Sequence, residues 1–376
     1  GEDAVSYNVY LDDEFAANAT APTYTTEGLS EGTHHLQVTA LDALGNESDM
    51  SATGHVVIDL TAPAVPVMAA LPEYTNADPL TFVWSWVGDG VKYDLEYQIG
   101  EASPVVVPGI LVQEYTVNIA GAASGTVISG KVRAYDAVGN VTEYSDSVST
   151  TVDRTGPVVT LGELPETPTR NRRPTWTWSG VDALSGLDYF VVTLDGEPPI
   201  MTEGTSYTPA SDLPDGAHVI KVYAVDNLGN VGTEESFEAV TIDTTPPAIP
   251  GIPTTTSPTR NTSPVWVWAG SGEDAVSYNV YLDDEFAANV EGPTYTTEGL
   301  SEGTHHLQVT ALDGLGNESA RSATGHVVID LTAPEAPAAP IPDINPTNQA
   351  SQLWWWDYVE GAARFDVQTS ADGETW

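Results

Sequence analysis

The sequence predicts an all-β chain of small sandwiches in tandem, and three observations carry that reading. An Asp-x-Thr-x-Pro joint returns at Asp59, Asp153, Asp243 and Asp330, at intervals of 87 to 94 residues. Short alternating apolar runs bounded by Gly, Pro, Asn and Asp fill the intervals, and no segment carries a convincing 3.6-residue apolar stripe. Residues 1–63 and 272–334 differ at only six positions, so a block of three modules has been duplicated.

The joints divide the chain into a C-terminal part of a module over residues 1–58, full modules over 59–152, 153–242 and 243–329, and an N-terminal part over 330–376. The register predicts a window on a longer protein. In the third module Thr175–Trp178, Tyr189–Asp195 and His218–Val225 read as strands, with Leu213-Pro214-Asp215-Gly216 as a turn between them. Alternation places Ile220, Val222 and Ala224 on one face and Lys221, Tyr223 and Val225 on the other, as expected for a sheet with one buried side. Both the opening residues and Ala363–Trp376 match the strand that follows the Trp strand. Joining one copy's tail to another's head would therefore duplicate a strand, which speaks against strand exchange.

Trp pairs recur as Trp84/Trp86, Trp176/Trp178, Trp266/Trp268 and Trp354/Trp356. Residues two apart share a face of a strand, so a pair serves either as core or as a stacking platform for sugars. Cysteine is absent, and without disulfides at least one large aromatic of each pair is expected in the core. Trp354-Trp355-Trp356 adds an aromatic on the opposite face.

Formal net charge is −43, from 54 acidic against 11 basic side chains, a field that repels phosphate backbones and anionic membrane surfaces alike. Nucleic acid is excluded as a partner on that ground. No run of residues is apolar enough to predict membrane insertion of this segment. No G-x-S-x-G, H-E-x-x-H or phosphate-binding loop occurs in a fitting context, so no catalytic residue is assigned and no enzymatic activity is expected.

Leu29–Asn46, Leu213–Asn230 and Leu300–Asn317 resemble the last strands of bacterial immunoglobulin-like and fibronectin type III-like domains, which repeat in large extracellular proteins of the adhesin type. The resemblance covers nearly the whole chain and implies immunoglobulin-like or fibronectin type III-like β-sandwiches in an extended array. This sequence departs from it by lacking the cysteine pair. The corner Tyr is replaced by His34 or His35, His218, and His305 or His306; the second module offers Val127 and Ile128 there. Adjacent His residues on a strand point to opposite faces and cannot share one ion, so a corner hydrogen bond to nearby loop backbone is expected of them.

In such a sandwich the early loop and the late loop emerge beside the joint. Acids then converge: Asp59, Asp89 and Asp136 in the second module, Asp153, Asp182 and Asp226 in the third, and Asp243, Glu273, Asp274 and Asp313 in the fourth. Asp330 opens the fifth, with Asp357 and Glu360. Two carboxylates about 6 Å apart repel by roughly 3 kcal/mol at an effective dielectric of 20. Calcium, which accepts six to eight oxygens in flexible geometry, suits that setting. The other reading makes the joint Asp a turn cap and Asp-x-x-Gly-Asn a hairpin turn chosen for its backbone. Prolines at 246–250 and 334–342 independently favour stiff joints and a rod.

The function expected is a non-catalytic spacer, stalk or fibre segment of a large extracellular bacterial protein at the cell surface, with calcium at the joints. Its partners would be neighbouring domains of the same longer chain, and copies of itself in a filament are a further reading. An alternative is a carbohydrate-binding accessory array of a secreted enzyme, contacting glycans through Trp355, Trp356 or Tyr358.

Overall fold

The computed structural model describes residues 3–343 and 350–370. Strands are the only regular element longer than a turn among them, and no helix is long and apolar enough to cross a membrane. Two compact units group Gly1–Pro165, Thr175–Thr208 and His218–Ala239 in one, and Glu166–Pro174, Pro209–Ala217 and Val240–Trp376 in the other.

In the first unit, the opening module is a four-stranded antiparallel sheet in the order Glu14–Ala19, Ala4–Leu11, Gly32–Asp42, Gly54–Ile58. The second module is a sandwich. Five strands in the order Tyr74–Thr75, Val148–Val152, Val127–Tyr135, Lys92–Ile99, Val105–Ile110 face the pair Leu80–Val83 and Glu114–Val117 across a core of Phe82, Trp84, Tyr93, Leu95, Ile128 and Val132. The third module contributes a four-stranded sheet built on Leu187–Leu194 and Ile220–Asp226, and a three-stranded sheet built on Trp176–Val181.

In the second unit, the fourth module repeats the first module's sheet as Glu285–Val290, Ser277–Leu282, Gly303–Leu312 and Gly325–Ile329, now facing Val265–Val267 and Thr294–Thr296. Nearly the same sequence is therefore seen with and without an opposing Trp strand. Val327 is 0% exposed, but its counterpart Val56 is 47% exposed. In the fifth module Ile341–Pro342 pairs with Trp354–Trp355. No strand forms over 363–370, and the rest of the strand expected there lies outside the described residues.

Alternation on Ile220–Asp226 holds at Ile220, Val222 and Ala224, all 0% exposed. Val225, expected on the open face, is buried as well, because the late loop folds back and bridges Val225 to Val231. The Trp register also needs correction. Ring contacts Trp84–Tyr93, Trp178–Phe190, Trp268–Tyr278 and Trp356–Phe365, at 5.6 to 5.9 Å, make Trp84 the counterpart of Trp178. Its core companion is then Phe82, and Trp86 falls beyond the pair at 63% exposure.

The corner histidines His34 and His305 bond loop backbone as expected and do more. His305 Nε2 lies 3.1 Å from the Ser301 carbonyl oxygen, and Nδ1 lies 2.7 Å from Asp283 Oδ2. Asp283 occupies the hairpin turn with φ of 51°, and its other oxygen accepts the His306 backbone N–H. Carbonyl and carboxylate oxygens only accept, so these two contacts favour the protonated ring. The Asp283 carboxylate, and next the Ser301 carbonyl acting against burial, raise the His305 pKa above 6.5. A raised folded-state pKa contributes stability that is complete below the unfolded value and is lost as pH rises through the folded one. The fourth module is thus expected to melt at a lower temperature at pH 9 than at pH 6, a difference that His305→Gln abolishes; identical pH profiles for the two proteins would contradict the assignment.

Candidate metal centre at the joints

Three of the joint acids are tied to the preceding module by the same backbone bond. Asp153, Asp243 and Asp330 donate their N–H groups to the carbonyls of Thr75, Thr169 and Thr259 at 2.8, 2.9 and 3.0 Å. The side-chain oxygens of these acids accept the N–H two residues on, from Thr155, Thr245 and Thr332. The joint Thr is held in turn by an acid of the preceding module: Thr61 by Glu31, Thr245 by Asp215 and Thr332 by Glu302. Hydrogen bonds from Thr245 and Thr244 hold the Asp215 carboxyl far below the usual range.

The late-loop acid builds its own turn. In Asp-x-x-Gly-Asn, Asp226 Oδ1 accepts the N–H groups of Leu228 and Asn230 at 2.9 and 2.7 Å, while Oδ2 accepts the Asn230 amide at 2.7 Å. Asp136 and Asp313 repeat the arrangement with Asn140 and Asn317. The same Asn amide then reaches the joint: Asn140, Asn230 and Asn317 donate to the carbonyls of Asp59, Asp153 and Asp243 at 3.0, 3.1 and 3.1 Å. One side chain ties loop to joint at three successive places.

Around that tie, two of the expected acid groups are gathered. Carboxylate oxygens of Asp153, Asp182 and Asp226 lie within 4.8 Å of one another, as do those of Asp243, Asp274 and Asp313. Asp153, Asp226 and Asp313 are 0%, 1% and 5% exposed. Burial works to raise the Asp153 carboxyl, but hydrogen bonds from Ser185 and Thr155 outweigh it and leave the pKa lowered. For Asp313 burial is likewise outweighed, by bonds from Asn317, Leu315 and Gly316. Two charges 4.8 Å apart repel by about 3 kcal/mol at an effective dielectric of 20. Each carboxylate has about four acceptor positions, so the turn bonds leave oxygen lone pairs directed elsewhere.

The remaining acids are not gathered in threes among the described residues. Asp59 and Asp136 meet through Asn140, but Asp89 is exposed in a shorter early loop closed by the Gly90 N–H to Val87 carbonyl bond at 2.7 Å. Glu273 is exposed beside Asp274 and stays outside the fourth module's triad. Asp330, Asp357 and Glu360 are exposed and apart from any such group. Sequence reading missed the histidine-bound Asp12, Asp195 and Asp283, though each stands in a Leu-Asp-Asp or Leu-Asp-Gly turn 22 or 23 residues before its His.

No protein-family model matches the chain. Over 253 residues it is 30% identical to Exoglucanase B of Cellulomonas fimi, a stretch covering 63% of this chain and 23% of that protein. Over 170 residues it is 33% identical to Chitinase A1 of Niallia circulans, covering 42% of this chain and 23% of that protein. The chain thus matches under a quarter of the length of either curated relative. Among solved structures, the FN1–FN3 domains of chicken CNTN1 cover 71% of this chain and 99% of theirs at 13% identity and a TM-score of 0.27. The strand pairing itself makes the chain a tandem array of all-β sandwiches.

Proposed function

We propose that this chain is a non-catalytic accessory array of a secreted polysaccharide-degrading enzyme, spacing and presenting other parts of a longer protein. The observation that carries this reading is the similarity to an exoglucanase and a chitinase over stretches of 253 and 170 residues, longer than a single module. An adhesin stalk would use the same modules, but the similarity favours the enzyme setting and supports an extracellular location. A glucan or chitin hydrolase joined to this chain is expected to release more sugar from insoluble substrate than the hydrolase alone, with turnover of soluble substrate unchanged. Equal release from the insoluble substrate would contradict it.

Two joints favour a second, compatible role. Asp153, Asp182 and Asp226, and separately Asp243, Asp274 and Asp313, supply the hard oxygen donors that calcium takes. The Ser271 hydroxyl, in the loop leading to Asp274, is buried without a hydrogen-bond partner, which supports a further polar occupant in that loop. On this reading calcium relieves carboxylate repulsion at the joints that open the third and fourth modules, where the Asn tie alone leaves it unopposed. Extracellular modules of this kind bind at roughly 10⁻⁴ to 10⁻³ M.

A further inference from the structure

The outer face of the fourth module's four-stranded sheet carries side chains that neither the core nor the joint uses. Phe286 is 60% exposed and meets the Tyr281 ring edge-on at 6.0 Å. The Arg321 guanidinium stacks on Tyr281 at 3.8 Å and pairs with Asp284 at 3.5 Å. Beside the rings runs a fixed polar row. The Asn289 amide donates to Asn279 Oδ1 at 2.9 Å, and Asn279 Nδ2 donates to Glu318 Oε1 at 2.9 Å. The same Glu318 oxygen accepts the Tyr281 hydroxyl at 3.2 Å and the Thr310 hydroxyl at 2.5 Å. The first module repeats the rings and the row but has Met50 in place of Arg321: Phe15 is 59% exposed, edge-on to Tyr10 at 5.8 Å, and Asn18, Asn8 and Glu47 form the same row at 2.9 Å per step.

We propose that this face, present in two copies 271 residues apart, docks a neutral polysaccharide chain. A ring fixed beside amides and a carboxylate matches the two aspects of a pyranose, an apolar C–H face and a hydroxyl edge. Because the rings and the row are already held by bonds within the sheet, little side-chain freedom remains to be lost on binding. Net charge of −43 and the Glu318 carboxylate turn away acidic polysaccharides and leave uncharged ones. The assignment rests on the accessory-array reading and names the surface through which the array would touch its substrate.

Adsorption of the full chain to insoluble cellulose and to chitin tests it, with melting temperature as a check on folding. The wild type is expected to adsorb to at least one polymer. Combined replacement Phe15→Ala with Phe286→Ala should weaken adsorption about tenfold or more, as should Asn8→Ala with Asn279→Ala, while Val158→Ala with Met201→Ala, exposed on the third module, leaves it unchanged. Undiminished adsorption of both face variants overturns the surface while the accessory reading stands. A wild type that adsorbs to neither polymer also overturns the surface; the hydrolysis comparison then decides the accessory reading separately.

Discussion

Gly325→Ala is expected to destabilise the fourth module by about 3 kcal/mol, and Gly54→Ala, at the same place in the first module, to leave the melting profile within experimental error. A Cβ at Gly325 would stand 1.9 Å from the Pro253 carbonyl oxygen and 3.1 Å from the Trp266 ring. The oxygen belongs to backbone, so relief requires moving the segment that leads into the Trp strand, and Trp266 is already 0% exposed. At Gly54 the nearest atom is the Leu36 carbonyl oxygen at 3.7 Å, an ordinary contact. The two glycines lie in the same Ser-Ala-Thr-Gly-His-Val-Val sequence, so the strand that carries them is the same in both. Calorimetry of the two variants checks this. Equal losses would mean that the glycine serves its own strand and that the sandwich packing described for the fourth module is wrong.

Calcium is expected to raise the melting temperature of the intact chain, by an amount corresponding to about 2.7 kcal/mol for each module it serves once the free ion reaches a hundred times its dissociation constant. Asp182→Asn and Asp274→Asn should each remove one share of that gain. These two residues lie in the early loops, and Asn can keep the turn bonds of Asp182, whose Oδ1 accepts the Leu184 and Gly186 N–H groups, whereas Asp226 and Asp313 use both oxygens in their turns and Asp153 and Asp243 close the joints. Without calcium the same replacements should leave the chain as stable as the wild type or more so, since each removes one charge from a group of three. The acid side has a defined sign. The lowered pKa values of Asp153 and Asp313 contribute stability above the unfolded carboxylate value near 3.8 that is lost as pH falls through the folded-state value.

Strand alternation and the convergence of loops on the joints are legible because each repeats with a period that no single turn or propensity produces. Asp182 and Asp274 could be placed near Asp226 and Asp313 from topology alone. Asp89 could not be kept apart by the same reasoning, because a tight Val87–Gly90 turn withdraws its loop and loop length is invisible to a rule about which end of a sandwich a loop occupies. Trp86 was misplaced for a related reason: two tryptophans two residues apart look alike in every module until a ring contact fixes which one opposes Tyr93. The Asn ties at Asn140, Asn230 and Asn317 were in view only as neighbours of a turn glycine. Their reach to the joint carbonyl depends on side-chain geometry that sequence spacing does not encode.

The claim that the scattered acids of the repeats are gathered to hold a cation at two joints is tested most directly by counting bound calcium, through isothermal titration of the chelator-treated chain. The account predicts two ions per chain, one remaining in Asp182→Asn, one in Asp274→Asn and none in the double variant. No binding at millimolar calcium, or binding whose number is untouched by both replacements, would contradict it.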